Sequence, residues 1–520
     1  MVTKIVVKKS TYRDSITLMK ISTNLSEKIG VKQAAVVMGT ELNRRVLSEA
    51  GFKSPEVSQA SNSDMIIAVE AESESSLEDA LRDAEKLLVE GETKEGGNKQ
   101  ITSLEESLVV LPDANLVIIS VPGQYAKREA SRALDKGLNV FLFSSNVSRQ
   151  DEVELKKVAK ANNLLLMGPD CGTSIINHKI LGFGNIVREG SIGLVSASGT
   201  GLQEVTTLIH KMGLGITQAI GTGGGDLSDE VGGITMLQGL ELLESDPETR
   251  VIVLISKPPS QEVADNILES AEKSRKSVVV NFIGTQRNVL FENVRITSSL
   301  DETAKTACEL AGGGTLIDFR IPSQLLETAI TEHNNLTKSQ KYIRGLFGGG
   351  TLCYESQTIL QPIFNEVYSN SPLSNEYRIP GDSPSRKHTC IDMGSEEFVE
   401  GRPHPMIDFT LRNMRILQEG NDPETAVILL DVELGYGSNP NPVSQLLPTI
   451  KKAKETAERN GRSLSFVASV VGTEGDFQGL STQTEALLEL GVLVASSNAQ
   501  ATKIAAIIAA GINVLDKLEG

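Results

Sequence analysis

The sequence predicts an α/β fold arranged as several domains in tandem, and three observations carry that expectation. The chain has 520 residues, more than one hydrophobic core usually serves at roughly 150 residues per domain. Short β-branched runs alternate with amphipathic stretches along most of it, the pattern of parallel strands joined by helices. Glycine-rich turns follow several of those runs, where a strand gives way to a helix.

The opening MVTKIVVKKSTYRD alternates charged and apolar residues as an exposed strand does, and it reads as no signal peptide. A strand is expected over Ala34–Met38. The acidic stretch from Glu70 to Gln100 begins as an amphipathic helix and ends in connector-like Gly, Lys and Glu, placing a boundary near residue 100 after an amino-terminal α/β domain, 1–100. Strands at Leu116–Ser120, Val140–Phe143 and Leu164–Met167, with a helical pattern over 126–137, suggest a second domain, 101–190. Strands at Ile192–Ser196, Val251–Ile255 and Ser277–Phe282, with a helical pattern over 261–276, suggest a third, 191–311. Residues 312–340 begin with glycines and end polar, as a connector does. A last domain, 341–520, starts near Tyr342 and has strands near Ala426–Leu430, Leu464–Val470 and Val492–Ala495. No short-period repeat suggests a solenoid or propeller.

Composition narrows the function. The 50 basic and 67 acidic residues leave a net charge of −17, opposite to what nucleic acid or an anionic membrane attracts. No apolar run approaches the roughly 20 residues that cross a bilayer. Cys171, Cys308, Cys353 and Cys390 lie far apart and form no C-x-x-C pair, so no metal site is expected. A cytoplasmic protein with reduced thiols fits these features.

The candidate sites are turns. In GLVSASGTGLQEVTTLIHKMG a strand ends at Ser196 and a helix opens at Ser198, Gly199 and Thr200. Unpaired N–H groups there favour an anion by roughly 0.3 to 1 kcal/mol, although Ser198 could equally serve only as the cap. Gly223 and Gly224 sit in IGTGGGDLSD, which lacks P-loop order because Asp226 and Leu227 stand where Lys and a hydroxyl would. Gly349, Gly350 and Thr351 in LFGGGTLCYES, and Gly435, Gly437 and Ser438 in DVELGYGSNPNP, repeat the logic; turns without a ligand are the alternative. Cys171 follows a strand end, where ligands bind in α/β sheets. With no His base beside it, packing or substrate contact is favoured over nucleophilic attack. Glu204, inside the helix after Ser198, faces either the anion or solvent. Arg402, His404, Asp408 and Arg412 cluster around Pro403 and Pro405, so His404 is a general acid or anion clamp, or else part of a rigid loop with a structural ion pair.

These motifs carry a resemblance. From Leu116 to Ala311, VPGQYAKREASRALDKG, GPDCGT, SIGLVSASGTGLQE, GTGGGDLSD and SDPETRVIVLISK resemble the α subunit of succinyl-CoA synthetase and related NDP-forming acyl-CoA ligases. From Gly345, GGGTLCYE, AVILLDVELGYGS and SVVGTEGD resemble the CoA-ligase domain of its β subunit, and KYIRGLFGGGTLC and GRPHPMID resemble the FdrA family. The resemblance implies tandem Rossmann-like and flavodoxin-like parallel-sheet domains of the succinyl-CoA synthetase type. It implies that the helix starts at Ser198–Thr200 and Gly435–Ser438 point together at one phosphoryl group, with Glu204 at the catalytic Glu.

The sequence departs from that pattern in three places. No His lies between His210 and His333, where the ligase has its phosphorylated His; the first hundred residues offer only MGTELNRRVL in place of a Gly-rich CoA loop; and no ATP-grasp domain separates the halves. With the FdrA resemblance this implies a transferase, an oxamate carbamoyltransferase subunit of allantoin and purine catabolism. Phosphate or carbamoyl phosphate and a small carboxylate or amide would be its substrates, and accessory subunits its partners in an oligomer. An NDP-forming acyl-CoA synthetase using CoA and a non-catalytic assembly subunit are the alternatives.

Overall fold

Four sheets carry the strands of the computed structural model, which describes residues 1–93, 101–284, 291–315 and 317–519. The boundary expected near residue 100 lies outside the described residues. The chain divides into two compact units, Met1–Ser103 with Gly394–Asp408, and Leu104–Met393 with Phe409–Gly520.

The first unit contains β1 (Val2–Lys8), α1 (Ser15–Ser26), β2 (Val31–Met38), α2 (Glu41–Glu49), α3 (Pro55–Gln59), β3 (Met65–Ala71) and α4 (Glu74–Thr93). The strand expected at Ala34–Met38 is present as part of β2. Its sheet is antiparallel in the order β1-β3-β2, unlike the parallel sheets elsewhere. Central β3, MIIAVEA, is apolar at nearly every position because both its faces are covered. Leu18, Leu25 and Leu77 of α1 and α4 pack with Val36 and Val69 on one face, and Leu47, Phe52 and Val57 pack with Ile66 and Ala68 on the other.

The second unit opens with α5 (Leu104–Val110), β4 (Leu116–Ile119), α6 (Gly123–Asp135), β5 (Asn139–Leu142), α7 (Arg149–Ala161) and β6 (Leu166–Met167), whose strands form a small parallel sheet. Next come β7 (Thr173–Ile176), β8 (Lys179–Gly182), β9 (Glu189–Ser196), α8 (Gly199–Lys211), β10 (Ile216–Gly221), α9 (Ile234–Ser245), β11 (Val251–Ser256), α10 (Gln261–Glu272), β12 (Ser277–Phe282), β13 (Val294–Ile296) and α11 (Leu300–Leu310). Their order is β13-β12-β11-β9-β10-β7-β8, parallel except for the β7–β8 hairpin. Sequence periodicity does not show that hairpin. Asn177 and His178 at its tip both have positive φ, as a tight two-residue turn requires.

After α12 (Ser323–Asn334) come β14 (Tyr342–Phe347), α13 (Gly350–Phe364), β15 (Val367–Tyr368), β16 (His388–Asp392), α14 (Glu396–Val399, in the first unit), α15 (Thr410–Asn421), β17 (Thr425–Glu433), α16 (Pro442–Arg459), β18 (Ser465–Val471), α17 (Leu480–Glu489), β19 (Leu493–Ala495), α18 (Asn498–Ala510) and α19 (Leu515–Glu519). These strands form an all-parallel sheet in the order β15-β16-β14-β17-β18-β19. The two larger sheets share one hydrophobic core, in which Leu202, Val205 and Leu208 of α8 and Ala304 and Cys308 of α11 join Leu352 and Leu360 of α13 and Ile504 and Ile508 of α18. The stretch read as a connector adds Ala329 of α12 to that core. No helix among the described residues is long and apolar enough to cross a membrane.

Strand order places the site. In one sheet the chain reverses direction of travel around β9, in the other around β14. Helices α8 and α13 begin just beyond these strands, at the positions where open α/β sheets bind ligands.

Candidate functional site

The starts of α8 and α13 meet. Ser198 caps α8 by accepting the Gly201 N–H at 2.9 Å, and the same hydroxyl is hydrogen-bonded to Thr351 Oγ1 in the first turn of α13. Gly349, the N-cap of α13, supplies no side-chain cap. Close approach depends on glycine: a Cβ on Gly349 would lie 2.9 Å from Thr200 Oγ1, and one on Gly201 would lie 3.1 Å from Thr351 Cγ2. First-turn N–H groups and hydroxyls of both helices therefore converge, an arrangement suited to an anion.

The expected partner of Ser198 was a different turn, Gly435–Ser438. That turn follows β17 and is engaged by the segment after the β7–β8 hairpin. Tyr436 N donates to Gly184 O at 2.8 Å, Gly435 N donates to Gln478 Oε1 at 3.0 Å, and Gly437 packs on Phe183. Ser438 Oγ is buried without a hydrogen-bond partner.

Asp431, which the sequence did not single out, holds the α13 turn together with Arg412. Asp431, at the carboxyl end of β17, accepts Gly348 N and Gly349 N at 2.8 Å, one on each oxygen. Arg412 is fully buried, ion-paired with Asp431, and donates to Leu346 O at 2.7 Å. Burial and the neighbouring Asp431 push Glu433 well above the usual carboxylate range. A Cβ on Gly350 would meet Asp392 Oδ2 at 2.5 Å, so backbone alone fits there. Only the alternation of β17, which hides charged residues in an apolar run, could have flagged Asp431 and Glu433.

Glu204 does not face solvent. It is 2% exposed, its Oε1 accepts the backbone N–H of Asn498 at 3.0 Å, and burial raises its carboxyl to about 7. Glu355 of α13 accepts Asn498 Nδ2 at 2.7 Å and Leu300 N at 2.7 Å; burial, with Asp301 nearby, raises it to about 8.

Other expected residues lie apart. Cys171 is buried against Thr173 and Ser174, and burial raises its thiol to about 11. The glycine turn after β10 is packed from below. A Cβ on Gly223 would lie 2.0 Å from Pro169 O, whereas Gly224 is open, and Lys156 Nζ donates to Thr222 O at 2.9 Å and to Asp226 at 2.7 Å. The cluster around Pro403 and Pro405 is divided: Arg402, His404 and Asp408 belong to the first unit, Arg412 to the second. Arg402 donates to Asn43 Oδ1 at 3.0 Å and to Asp408 Oδ2 at 3.4 Å. His404 Nδ1 accepts the Met406 N–H at 3.3 Å.

Three family models match the chain: "AllF, heavy metal-associated domain" over residues 1–103, "CoA binding domain" over 187–284 and "CoA-ligase" over 346–508. The protein described as "Uncharacterized protein YahF" of Escherichia coli K12 is 44% identical over 497 residues, covering 95% of this chain and 96% of its own. The chain belongs to the same family as YahF. Beyond YahF, the ADP-forming succinate–CoA ligase α subunit of Staphylococcus epidermidis is 28% identical over 244 residues, 42% of this chain and 78% of that subunit. Like that subunit, this YahF-family chain is succinyl-CoA synthetase-like, with CoA-binding and CoA-ligase domains. Among solved structures, the apo form of a dinucleotide-forming acetyl-coenzyme A synthetase 1 from Ca. Korarchaeum cryptofilum is 14% identical, covering 78% of this chain and 84% of that one at a TM-score of 0.32.

Proposed function

We propose that the chain holds a phosphoryl group between the starts of α8 and α13 and uses it in phosphate-dependent acyl transfer, with carbamoyl as the acyl group. The observation that supports this reading is the Ser198–Thr351 contact, which brings two first turns and three hydroxyls, those of Ser198, Thr200 and Thr351, to one place. No His lies between His210 and His333 to take the phosphoryl group covalently, which favours phosphate as the free nucleophile. In the direction from oxalurate, a phosphate oxygen attacks the carbamoyl carbon, the bond from that carbon to the oxamate nitrogen breaks, and the nitrogen takes up a proton. Oxamate and carbamoyl phosphate result. Donors preset where charge develops suit this step; losing one typically costs on the order of 10² to 10³ in rate. Accessory subunits complete the enzyme in this reading.

The test supplies oxamate and carbamoyl phosphate to the chain with its accessory subunits, and in parallel ATP, CoA and a small carboxylate to the chain alone. Phosphate release with oxalurate formation is the expected result. The second reading, an NDP-forming acyl-CoA synthetase, is favoured by the CoA-binding and CoA-ligase matches and by the succinate–CoA ligase likeness. Acyl-CoA made with ATP, and no transfer from carbamoyl phosphate in any assembly, would put that reading first.

A further inference from the structure

We infer that the amino-terminal unit carries no soft-metal site and works instead as a seat for the 394–408 segment, fixing the loop that presents His404. The model matching residues 1–103 is described as heavy metal-associated, so the donor set decides the matter. Soft transition metals take thiolate, thioether or imidazole ligands. Residues 1–103 contain no Cys and no His, and the four cysteines all lie buried in the second unit. The thioethers offer no substitute: Met38 and Met65 are cross-strand partners, 2% and 1% exposed in the core, Met406 on the strap is likewise 2% exposed, Met19 lies in α1, and Met1 is an exposed residue ahead of β1. The unit's single imidazole, His404, arrives on the 394–408 segment. These residues do not fit the metal that the description implies.

What the unit does hold is a strap of its own chain. Thr40 caps α2, and Asn43 in its first turn is 1% exposed. Asn43 Nδ2 donates to Met38 O at 2.8 Å and to Gly401 O at 3.2 Å, while its Oδ1 accepts from Arg402 Nη1. Gly401 has φ +67, and a Cβ there would lie 2.7 Å from Thr40 Cγ2, so the strap fits only as glycine. Asn62 donates to Glu400 at 3.4 Å. Three consecutive strap residues, 400 to 402, are thus tied to the unit. Only Pro403, with its fixed φ, separates them from His404. Asn43 is accordingly a positioning residue: it spends all three of its side-chain hydrogen bonds on one backbone corner and on the strap.

Hydrogen–deuterium exchange on the full chain tests both halves of this inference. With zinc(II), and separately with copper(I) under reducing conditions, exchange across peptides from 1–103 should not change. Slower exchange there with either ion would overturn the absence of a site. In Asn43→Ala, peptides from 394–408 should exchange at least about tenfold faster and His404 should react faster with diethyl pyrocarbonate, while circular dichroism stays as in the wild type. Unchanged exchange and unchanged His404 reactivity would overturn the seat. Should Asn43→Ala fail to fold, Arg402→Lys, which removes the guanidinium fork from the strap side, gives the same two readouts.

Discussion

Glu204 and Glu355, from helices that follow strands of different sheets, meet on one residue: Glu204 accepts the backbone N–H of Asn498 at 3.0 Å and Glu355 accepts its side-chain amide at 2.7 Å. Asp301 lies beside them, held by Ser497 at 2.9 Å, and Lys211 is the nearby cation, itself lowered by burial. Two acids and one asparagine, all buried, thus join α8, α13 and α18. The Oδ1 of Asn498 has no hydrogen-bond partner, and a protonated carboxyl beside it can supply a donor.

The first prediction is a stability that falls with rising pH. The folded carboxyls sit at about 7 and about 8 against an ordinary 4.5. Their contribution is full below about 4.5, declines as the unfolded chain ionises, and is gone once pH passes the folded values. At roughly 1.4 kcal/mol per pK unit the combined effect is on the order of a few kcal/mol. Thermal unfolding should therefore show a lower Tm at pH 8.5 than at pH 5.5, and Glu204→Gln with Glu355→Gln should flatten the difference. An equal slope in the double variant would refute it.

The second concerns the anion. Replacing Ser198 and Thr351 together by Ala removes the hydroxyls shared between the two helix starts. Phosphate affinity by calorimetry should fall about tenfold or more, while loss of the Ser198 cap costs about 1 kcal/mol of stability. Unchanged affinity would move the phosphate elsewhere.

A third follows from Arg412. Its removal leaves Asp431 buried and unpaired beneath the Gly348–Gly349 turn, and breaking one side of a buried pair typically costs about 3 to 5 kcal/mol. Arg412→Met should lower the denaturation midpoint by a matching amount, and Asp431→Asn, which leaves Arg412 buried without its counter-charge, should destabilise comparably and also weaken phosphate binding, because it loosens the turn that presents α13. Unchanged phosphate affinity in folded Asp431→Asn would mean that the carboxylate only stabilises.

The fourth is chemical. A thiol raised to about 11 and packed against Ser174 is neutral at physiological pH, and the thiolate is the reactive form. Iodoacetamide at pH 8 should leave Cys171 unlabelled in the native chain, and Cys171→Ala should keep full turnover. Rapid labelling would restore it as a nucleophile.

The sequence by itself determined the α/β class and the positions of its principal strands. Val251–Ser256, Ser277–Phe282 and Ser465–Val471 are covered on both faces, so each had to be a short, almost continuous apolar run, which is a local signal. The helix starts were equally local, since Ser198 and Gly349 announce a turn and a cap without reference to anything distant. Only the tertiary structure decided which starts face one another. Thr351 reaches Ser198 across 153 positions, a contact set by the order of strands in two sheets. Burial was decided the same way: Glu204 sits in a helix where a carboxyl usually meets water, and it is the packing of α18 that takes the water away and raises its pKa. Arg402 and Arg412, ten residues apart and alike on paper, belong to different units. Nearness in sequence fixes reach, whereas the partner of a charged side chain is fixed by which buried polar group the fold leaves in need of one: Asn43 for Arg402, Asp431 for Arg412.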